Sequence, residues 1–441
     1  MQFNAEAKAK PIFKERLLWL LFLAPLFFLL YGSTNQIASF QEHVNSIYFA
    51  WELKIPFIPW MILFYMLLDI LFGFSFLIPE SRSKLQRHSM RIIFVICISI
   101  LIFLLFPLQC NFQKPEVTGI LAPIYSLLKN DLPYNQFPSL HVSLGLVIGY
   151  QYVTKLPAFA RILFAGIFFL VIVSILFIYQ HHLIDLPGGI LVGLLAFYLF
   201  PEHGSTRLAL NFISPKHLAM AIKYLLLSII FTILAFNISM LWIPLAWIAA
   251  SMTTISLCYV TGFNNISNKK HGQTNYLYRI LFWPYFFGNY FTWLYWRKKL
   301  KPINKIDEHI YIGMSTDQDI HSTLKEHNIH TIIDLAPELN SYIPRNINYH
   351  SIPLLDLAIP DPEILIKITN LLDATHRQGK VLIICKLGVS RSVIAAAAWL
   401  VKKGLDMQQV WRLLNKAQPL CTNKSYMKIS LQLYKQYSLR P

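Results

Sequence analysis

Apolar runs recur through the first 260 residues of the chain and then stop. A helix needs about 20 residues to cross a bilayer, and the runs at 17–31, 57–78, 92–108, 142–153, 162–179, 184–200, 224–239 and 241–260 approach or meet that length. No other feature limits the fold as strongly: it predicts a polytopic α-helical membrane domain of about eight spans. The run at 17–31 leads into Gly32-Ser33-Thr34 and further apolar segments, so a retained first span is expected rather than a cleaved leader. With 55% hydrophobic and 14% charged residues, the whole chain departs from soluble composition.

A net charge of +17 would suggest nucleic acid in a soluble protein, but its distribution follows the apolar runs. Lys8, Lys10, Lys14 and Arg16 precede the first. Arg82, Lys84, Arg87 and Arg91 follow the second, Lys155 and Arg161 the fourth, Arg207, Lys216 and Lys223 the sixth, and Lys269 and Lys270 the eighth. Basic loops stay inside, so both ends are expected in the cytoplasm, with 108–141 and 180–184 on the opposite face and no nucleic-acid partner. The stretch 276–296 is crowded with Trp283, Phe286, Phe287, Tyr290, Phe291, Trp293 and Trp296, is interrupted by Pro284 and Gly288, and is followed by Arg297, Lys298 and Lys299. Amphipathic rings beside a basic cluster predict an interfacial or re-entrant segment. The alternative, a ninth span, would put the C-terminal domain on the other side of the membrane.

From residue 306 the pattern changes. Predicted strands at 309–313, 331–335, 349–353 and 380–384 alternate with predicted helices at 317–327, 362–378 and 392–403, the order of an α/β domain with a central sheet. The expected organisation is therefore a membrane domain over 1–265 with its core at about 57–200, an aromatic and basic linker over 266–305, and an α/β domain over 306–441.

The most specific motif is Cys385-Lys-Leu-Gly-Val-Ser-Arg391-Ser392, between an apolar strand and a helix. Successive backbone N–H groups entering a helix N-terminus cradle a phosphate, and the same positive field favours the thiolate form in which Cys385 attacks. The planar fork of Arg391 suits two phosphoryl oxygens. Lys386, Gly388 and Ser390 line the same loop, Ser392 is placed to donate to the sulfur, and Asp356 is the best-placed leaving-group acid, with Asp361 in reserve. These residues, with Ile310-Tyr-Ile-Gly313, resemble the dual-specificity branch of the cysteine-dependent protein tyrosine phosphatases. The resemblance implies nucleophile, phosphate clamp and general acid for Cys385, Arg391 and Asp356. Ile384 stands where the family usually has histidine, and Lys386 is similar to the cation of members acting on phosphoinositides and phosphatidylglycerophosphate.

A second constellation lies among the apolar runs: Pro138-Ser139-Leu140-His141 and, on the same predicted face, His181-His182-Leu-Ile-Asp185. Ionisable groups at span ends are functional candidates. His181, oriented by Asp185, could attack phosphorus while His141 protonates the departing oxygen, with Ser139 and a nearby cation on the phosphate. The motifs resemble the type 2 phosphatidic acid phosphatase superfamily, nearest its inositol phosphorylceramide synthase-like branch, over about 57–200. Ile175 replaces an expected arginine, and the first motif is reduced to Lys114-Pro115. His182 is expected to be a bystander, Asp131 and Asn135 to shape a loop, and Gly188-Gly189 to permit close packing.

Five cysteines, Cys97, Cys110, Cys258, Cys385 and Cys421, include no Cys-x2-Cys pair, so no zinc site or disulfide framework is expected, and no metal or cofactor. Together the resemblances imply a bifunctional membrane phosphatase of a bacterial inner membrane, with its cysteine site cytoplasmic and its histidine site periplasmic. Phospholipids or lipid phosphates are the expected substrates, with phosphoproteins as a further class. The alternatives are a catalytically weak lipid-binding or signalling scaffold and a membrane-anchored protein phosphatase.

Overall fold

The computed structural model describes residues 11–128, 131–202, 213–317, 321–419 and 425–438. Lys8, Lys10, Arg207 and Cys421, and residues 318–320 of the helix expected at 317–327, lie outside the described residues. The chain packs as two compact units, Asn4–Ala209 and Leu210–Pro441.

The first unit is helical: α1 (Phe13–Ser39), α2 (Ile62–Ser75), α3 (Arg82–Leu105), short α4 (Ala122–Leu128), α5 (Leu140–Lys155), α6 (Ala158–Phe177) and α7 (Asp185–Leu199). Helix α5 is central, packing on α2, α3, α6 and α7. Polar residues extend helices beyond what apolarity alone indicates. Helix α3 starts ten residues before its apolar run, where the Ser81 hydroxyl accepts from the Lys84 amide at 3.3 Å. Fully buried Arg91 is satisfied at the C-terminal end of α7, donating to the Phe200 carbonyl at 2.8 Å with its guanidinium 4.6 Å from the Phe197 ring.

The second unit begins with α8 (Pro215–Asn237) and α9 (Trp242–Thr261), a packed pair closed by Gly262 in the left-handed region at φ +66°. Of the described helices, α1, α3, α6, α8 and α9 are long and apolar enough to cross a membrane, while α2, α5 and α7 are shorter. Next come α10 (Tyr276–Leu281) and α11 (Trp283–Arg297), then the α/β fold. Its strands are β1 (Ile303–Lys305), β2 (Ile310–Met314), β3 (Ile329–Asp334), β4 (Asn348–Ser351) and β5 (Lys380–Cys385). They form one sheet in the order β1-β2-β5-β3-β4, parallel except for β1.

Helices α12 (His321–Glu326), α13 (Pro362–Thr375), α14 (Arg391–Lys402), α15 (Met407–Ala417) and α16 (Ser425–Ser438) complete the unit. Val381, Ile383 and Cys385 join the core beneath α13 and α14, while Leu382 and Ile384 join the opposite core with Leu324, the two-residue alternation of a strand. Strand β1 and helices α15 and α16 add to the elements expected from sequence. The pair α8–α9, assigned by sequence to the membrane domain, packs in the same compact unit as the α/β fold. Between them, buried Lys269 donates to Asp334 at 2.7 Å and to the Ala336 carbonyl at 2.5 Å.

Candidate active sites

Strand β5 is central, and Cys385 ends it, so the loop into α14 leaves from the carboxyl edge of a parallel sheet, where such folds bind ligands. Gly388 takes φ +73°, and a Cβ there would come 2.8 Å from the Gly313 carbonyl carbon. Only glycine lets this loop lie on the end of β2. Ser392, in the first turn of α14, has its hydroxyl 3.3 Å from the Cys385 sulfur. Ile384 points away from the thiol into the apolar core.

Arg391 is 2% exposed and is held by a partner absent from the sequence expectation, the fully buried Glu338. Nη1 donates to Glu338 Oε2 at 2.9 Å and to the Leu354 carbonyl at 2.9 Å, and Nη2 pairs with Glu338 Oε1. Glu338 lies four residues beyond β3. An acidic residue beside a strand end is the only signal that could have singled it out. Arg391 Nε is buried, makes no hydrogen bond, and lies 3.4 Å from Asp356 Oδ1.

Asp356 lies against the loop. Its Oδ1 accepts from the Ser390 hydroxyl at 3.2 Å, and its Oδ2 lies 3.4 Å from Lys386 Nζ. Burial alone would raise this carboxyl, but Arg391, Lys386 and the Ser390 hydroxyl together hold it below the ordinary aspartate range. Asp361 instead caps α13, accepting from the Glu363 amide at 2.9 Å. Helix α9 and the segment after it pin the acid loop: the Tyr259 hydroxyl donates to the Asp356 carbonyl at 2.9 Å, and the Leu355 amide donates to Asn264 at 2.9 Å. Lys386 also donates to Asn289 of α11 at 2.8 Å.

In the helical unit, His181 Nδ1 lies 3.2 Å from Asp185 Oδ2, which also accepts from the His182 amide at 2.9 Å. The Ser139 amide donates to the Asp185 carbonyl at 3.1 Å, joining the two motifs. Ser139 caps α5, accepting from the Val142 amide at 3.4 Å. His141 stacks on Tyr65 with centroids 4.3 Å apart, and its buried Nε2 makes no hydrogen bond. Close approach depends on Gly188-Gly189, where a Cβ would come 2.4 Å from the Phe137 ring and 2.5 Å from the Ser139 carbonyl respectively.

Lys114 Nζ donates to Gln180 Oε1 at 3.0 Å, next to His181 in sequence. Ile175 is buried among Val142 and Leu176, so that position contributes packing where the family has a cation. His182 is clamped between the Tyr48 and Phe112 rings, lies 3.2 Å from fully buried Glu52, and accepts from the Asn111 amide at 3.0 Å. Glu52 also accepts from the Leu183 amide at 2.8 Å. It braces the loop carrying His181, a role without a sequence signal because its partner is 130 residues distant. Asp131 accepts from Asn35 at 2.9 Å and from Tyr31 at 3.3 Å. Burial pushes its carboxyl above the ordinary range against the pull of Lys114 and His181. Among the described residues no group of three or more metal-ligating side chains occurs.

The C-terminal part of the chain is similar to dual specificity protein phosphatase Mpk3 of Drosophila melanogaster, 28% identical over 149 residues, covering 32% of this chain and 36% of that protein. It is also similar to human protein phosphatase Slingshot homolog 3, 26% identical over 134 residues, covering 30% of this chain and 20% of that protein. The chain thus spans about a third or less of these curated relatives. Among solved structures, human DUSP28 aligns at 18% identity with a TM-score of 0.29, covering 32% of this chain and 97% of that one. Tk-PTP in its active form aligns at 19% identity with a TM-score of 0.29, covering 31% and 97%. Family models match a PAP2 superfamily domain at residues 54–199 and a dual specificity phosphatase catalytic domain at 310–436, so the chain joins domains of two phosphatase families.

Proposed function

We propose that the protein is a membrane-spanning phosphatase with two reaction centres. At the C-terminal centre the Cys385 sulfur attacks the phosphorus of a monoester, an S–P bond forms, and the P–O bond to the leaving group breaks. Asp356 gives its proton to the leaving oxygen. Water then attacks the phosphocysteine, Asp356 takes a proton from it, and the S–P bond breaks as Ser392 donates to the sulfur. Arg391, held in plane by Glu338, clamps two equatorial oxygens throughout, and the Nε donor left unbonded is available as that charge develops. An entering dianion competes with Asp356 for Arg391, which lifts the carboxyl toward the protonated form a general acid requires. The observation that carries this reading is the convergence of Cys385, Arg391 and Asp356 from three separate elements on one loop.

At the helical centre, His181 oriented by Asp185 attacks the phosphorus of a lipid phosphate, an N–P bond forms as the P–O bond to the lipid breaks, and His141 protonates the leaving oxygen. Water then attacks the phosphohistidine, His141 takes its proton, and the N–P bond breaks to release phosphate. Ser139 and Lys114 bind the phosphate. The basic loops favour a cytoplasmic C-terminal domain and a helical site open to the other side of a bacterial inner membrane. The test is full-length protein in phosphatidylcholine vesicles, assayed with an aryl phosphate and with a lipid phosphate. Cys385→Ser should abolish aryl phosphate turnover, and His181→Ala should remove the remaining lipid phosphate turnover. Retention of both activities in Cys385→Ser/His181→Ala would refute the assignment.

A further inference from the structure

Helices α10 and α11 lie between two anchors on the same α/β fold. At one end the Thr274 hydroxyl donates to Asn340 at 2.8 Å, and at the other Arg297 pairs with Asp317 at 2.5 Å. A segment tied at both ends to one water-facing domain does not cross a bilayer, which disfavours the ninth span. Helix α11 is two-faced. Tyr285 and Trp293 are buried on one stripe with Asn289 between them, at helical spacing. Trp283, Phe287, Tyr290 and Phe291 are exposed on the other, between 42% and 53%.

That exposed face continues onto an apolar helix of the pair above it. Trp247 of α9 donates to the Ile280 carbonyl at 3.1 Å and stacks on Trp283 at 5.8 Å. Lys298 and Lys299 follow the anchor at Arg297 and close the segment, a positive pair complementary to anionic lipid headgroups. The inner face meets the catalytic loop directly. The Asn289 amide nitrogen donates to the Tyr285 carbonyl at 2.8 Å, which turns its oxygen onto Lys386 Nζ at 2.8 Å. Lys386 in turn lies 3.4 Å from Asp356. One helix therefore offers an aromatic, lipid-compatible surface outward and fixes a pocket cation inward.

We infer that α11 seats the cysteine site on the bilayer surface and that Asn289 is a positioning residue that aims Lys386 at a phosphomonoester headgroup carried by a membrane lipid. This rests on the reading of the Cys385 pocket as a phosphomonoesterase site. A phosphopeptide would have to approach a loop that α11, α9 and the acid loop already border, whereas a headgroup rising from the bilayer arrives alongside the exposed aromatic face.

The test uses the full chain with His181→Ala to silence the helical centre, reconstituted in phosphatidylcholine vesicles. Three substrates are compared: an aryl phosphate, a phosphotyrosine peptide, and vesicles doped in turn with phosphatidic acid, phosphatidylglycerophosphate or a phosphatidylinositol monophosphate. At least one lipid should be turned over with a higher kcat/KM than the peptide. Asn289→Ala should lower the ratio of lipid to aryl phosphate kcat/KM about tenfold through KM, the worth of one hydrogen bond to a charged group. Asn289→Asp, which keeps an oxygen facing Lys386, should restore it. Preference for the peptide, or an equal fall on lipid and aryl phosphate in Asn289→Ala, overturns the inference and leaves the phosphatase reading standing. No turnover of any of the three substrates sinks that reading and the inference with it.

Discussion

Glu338 is the residue on which the reading of the cysteine site is most exposed. Replacing it with alanine removes both carboxylate oxygens from the buried Arg391 guanidinium, which then keeps the Leu354 carbonyl and a 3.4 Å approach to Asp356. Two charge-assisted hydrogen bonds are lost, each worth about 1.5–3 kcal/mol, and breaking a buried ion pair by deleting one partner typically costs about 3–5 kcal/mol. The C-terminal fold of Glu338→Ala should therefore unfold at lower denaturant by an amount in that range. Part of the same loss falls on the transition state, because a guanidinium free to rotate no longer presents two coplanar donors. A weakening of about 3 kcal/mol corresponds to roughly a hundredfold in kcat/KM. Glu338→Gln, with one acceptor and no charge, should lie between. The assay is aryl phosphate kcat/KM together with vanadate inhibition, since the vanadate dissociation constant reports the clamp without chemistry. Wild-type kcat/KM and vanadate affinity in Glu338→Ala would falsify the claim that this carboxylate holds the phosphate clamp.

Asp356→Asn should slow hydrolysis of an alkyl phosphate by about 10²–10⁴-fold and that of a good aryl leaving group far less; equal slowing on both would exclude proton donation by this carboxyl. Because the folded Asp356 lies below its ordinary value, its contribution to stability is present at neutral pH and lost as pH falls below about 4, so Asp356→Asn should flatten acid denaturation there. Gly189→Ala forces a methyl to 2.5 Å from the Ser139 carbonyl, and overpacking of this kind costs about 1–3 kcal/mol. Lipid phosphate turnover by the histidine site should fall while Cys385-dependent aryl phosphatase activity persists, as separate measurements in one preparation can show. Lys269→Ala leaves Asp334 buried without its cation, and the α/β fold should lose about 3–5 kcal/mol in thermal or denaturant unfolding, with Asp334→Asn/Lys269→Met recovering much of it.

Some of this protein was legible because it depends on residues near one another in sequence. Apolar length located the helices at all eight runs, short apolar runs between helical stretches located β2, β3, β4 and β5, and the seven residues from Cys385 to Arg391 carried their loop pattern within themselves. Hydropathy placed helix ends less well: α3 and α8 run back over polar turns that backbone hydrogen bonding favours and apolarity does not register. Residues that work through distant partners were illegible. Glu338 meets Arg391 across 53 residues, Glu52 meets His182 across 130, and Asn289 meets Lys386 across 97. In the sequence each is an ordinary polar residue. Packing sets all three against their partners, and for Glu338 and Glu52 burial makes an unpaired charge costly. Local pattern determined which chemistry the chain could carry; the tertiary fold decided which side chains hold that chemistry in place, because long-range electrostatic pairing is a property of position in space and not of order along the chain.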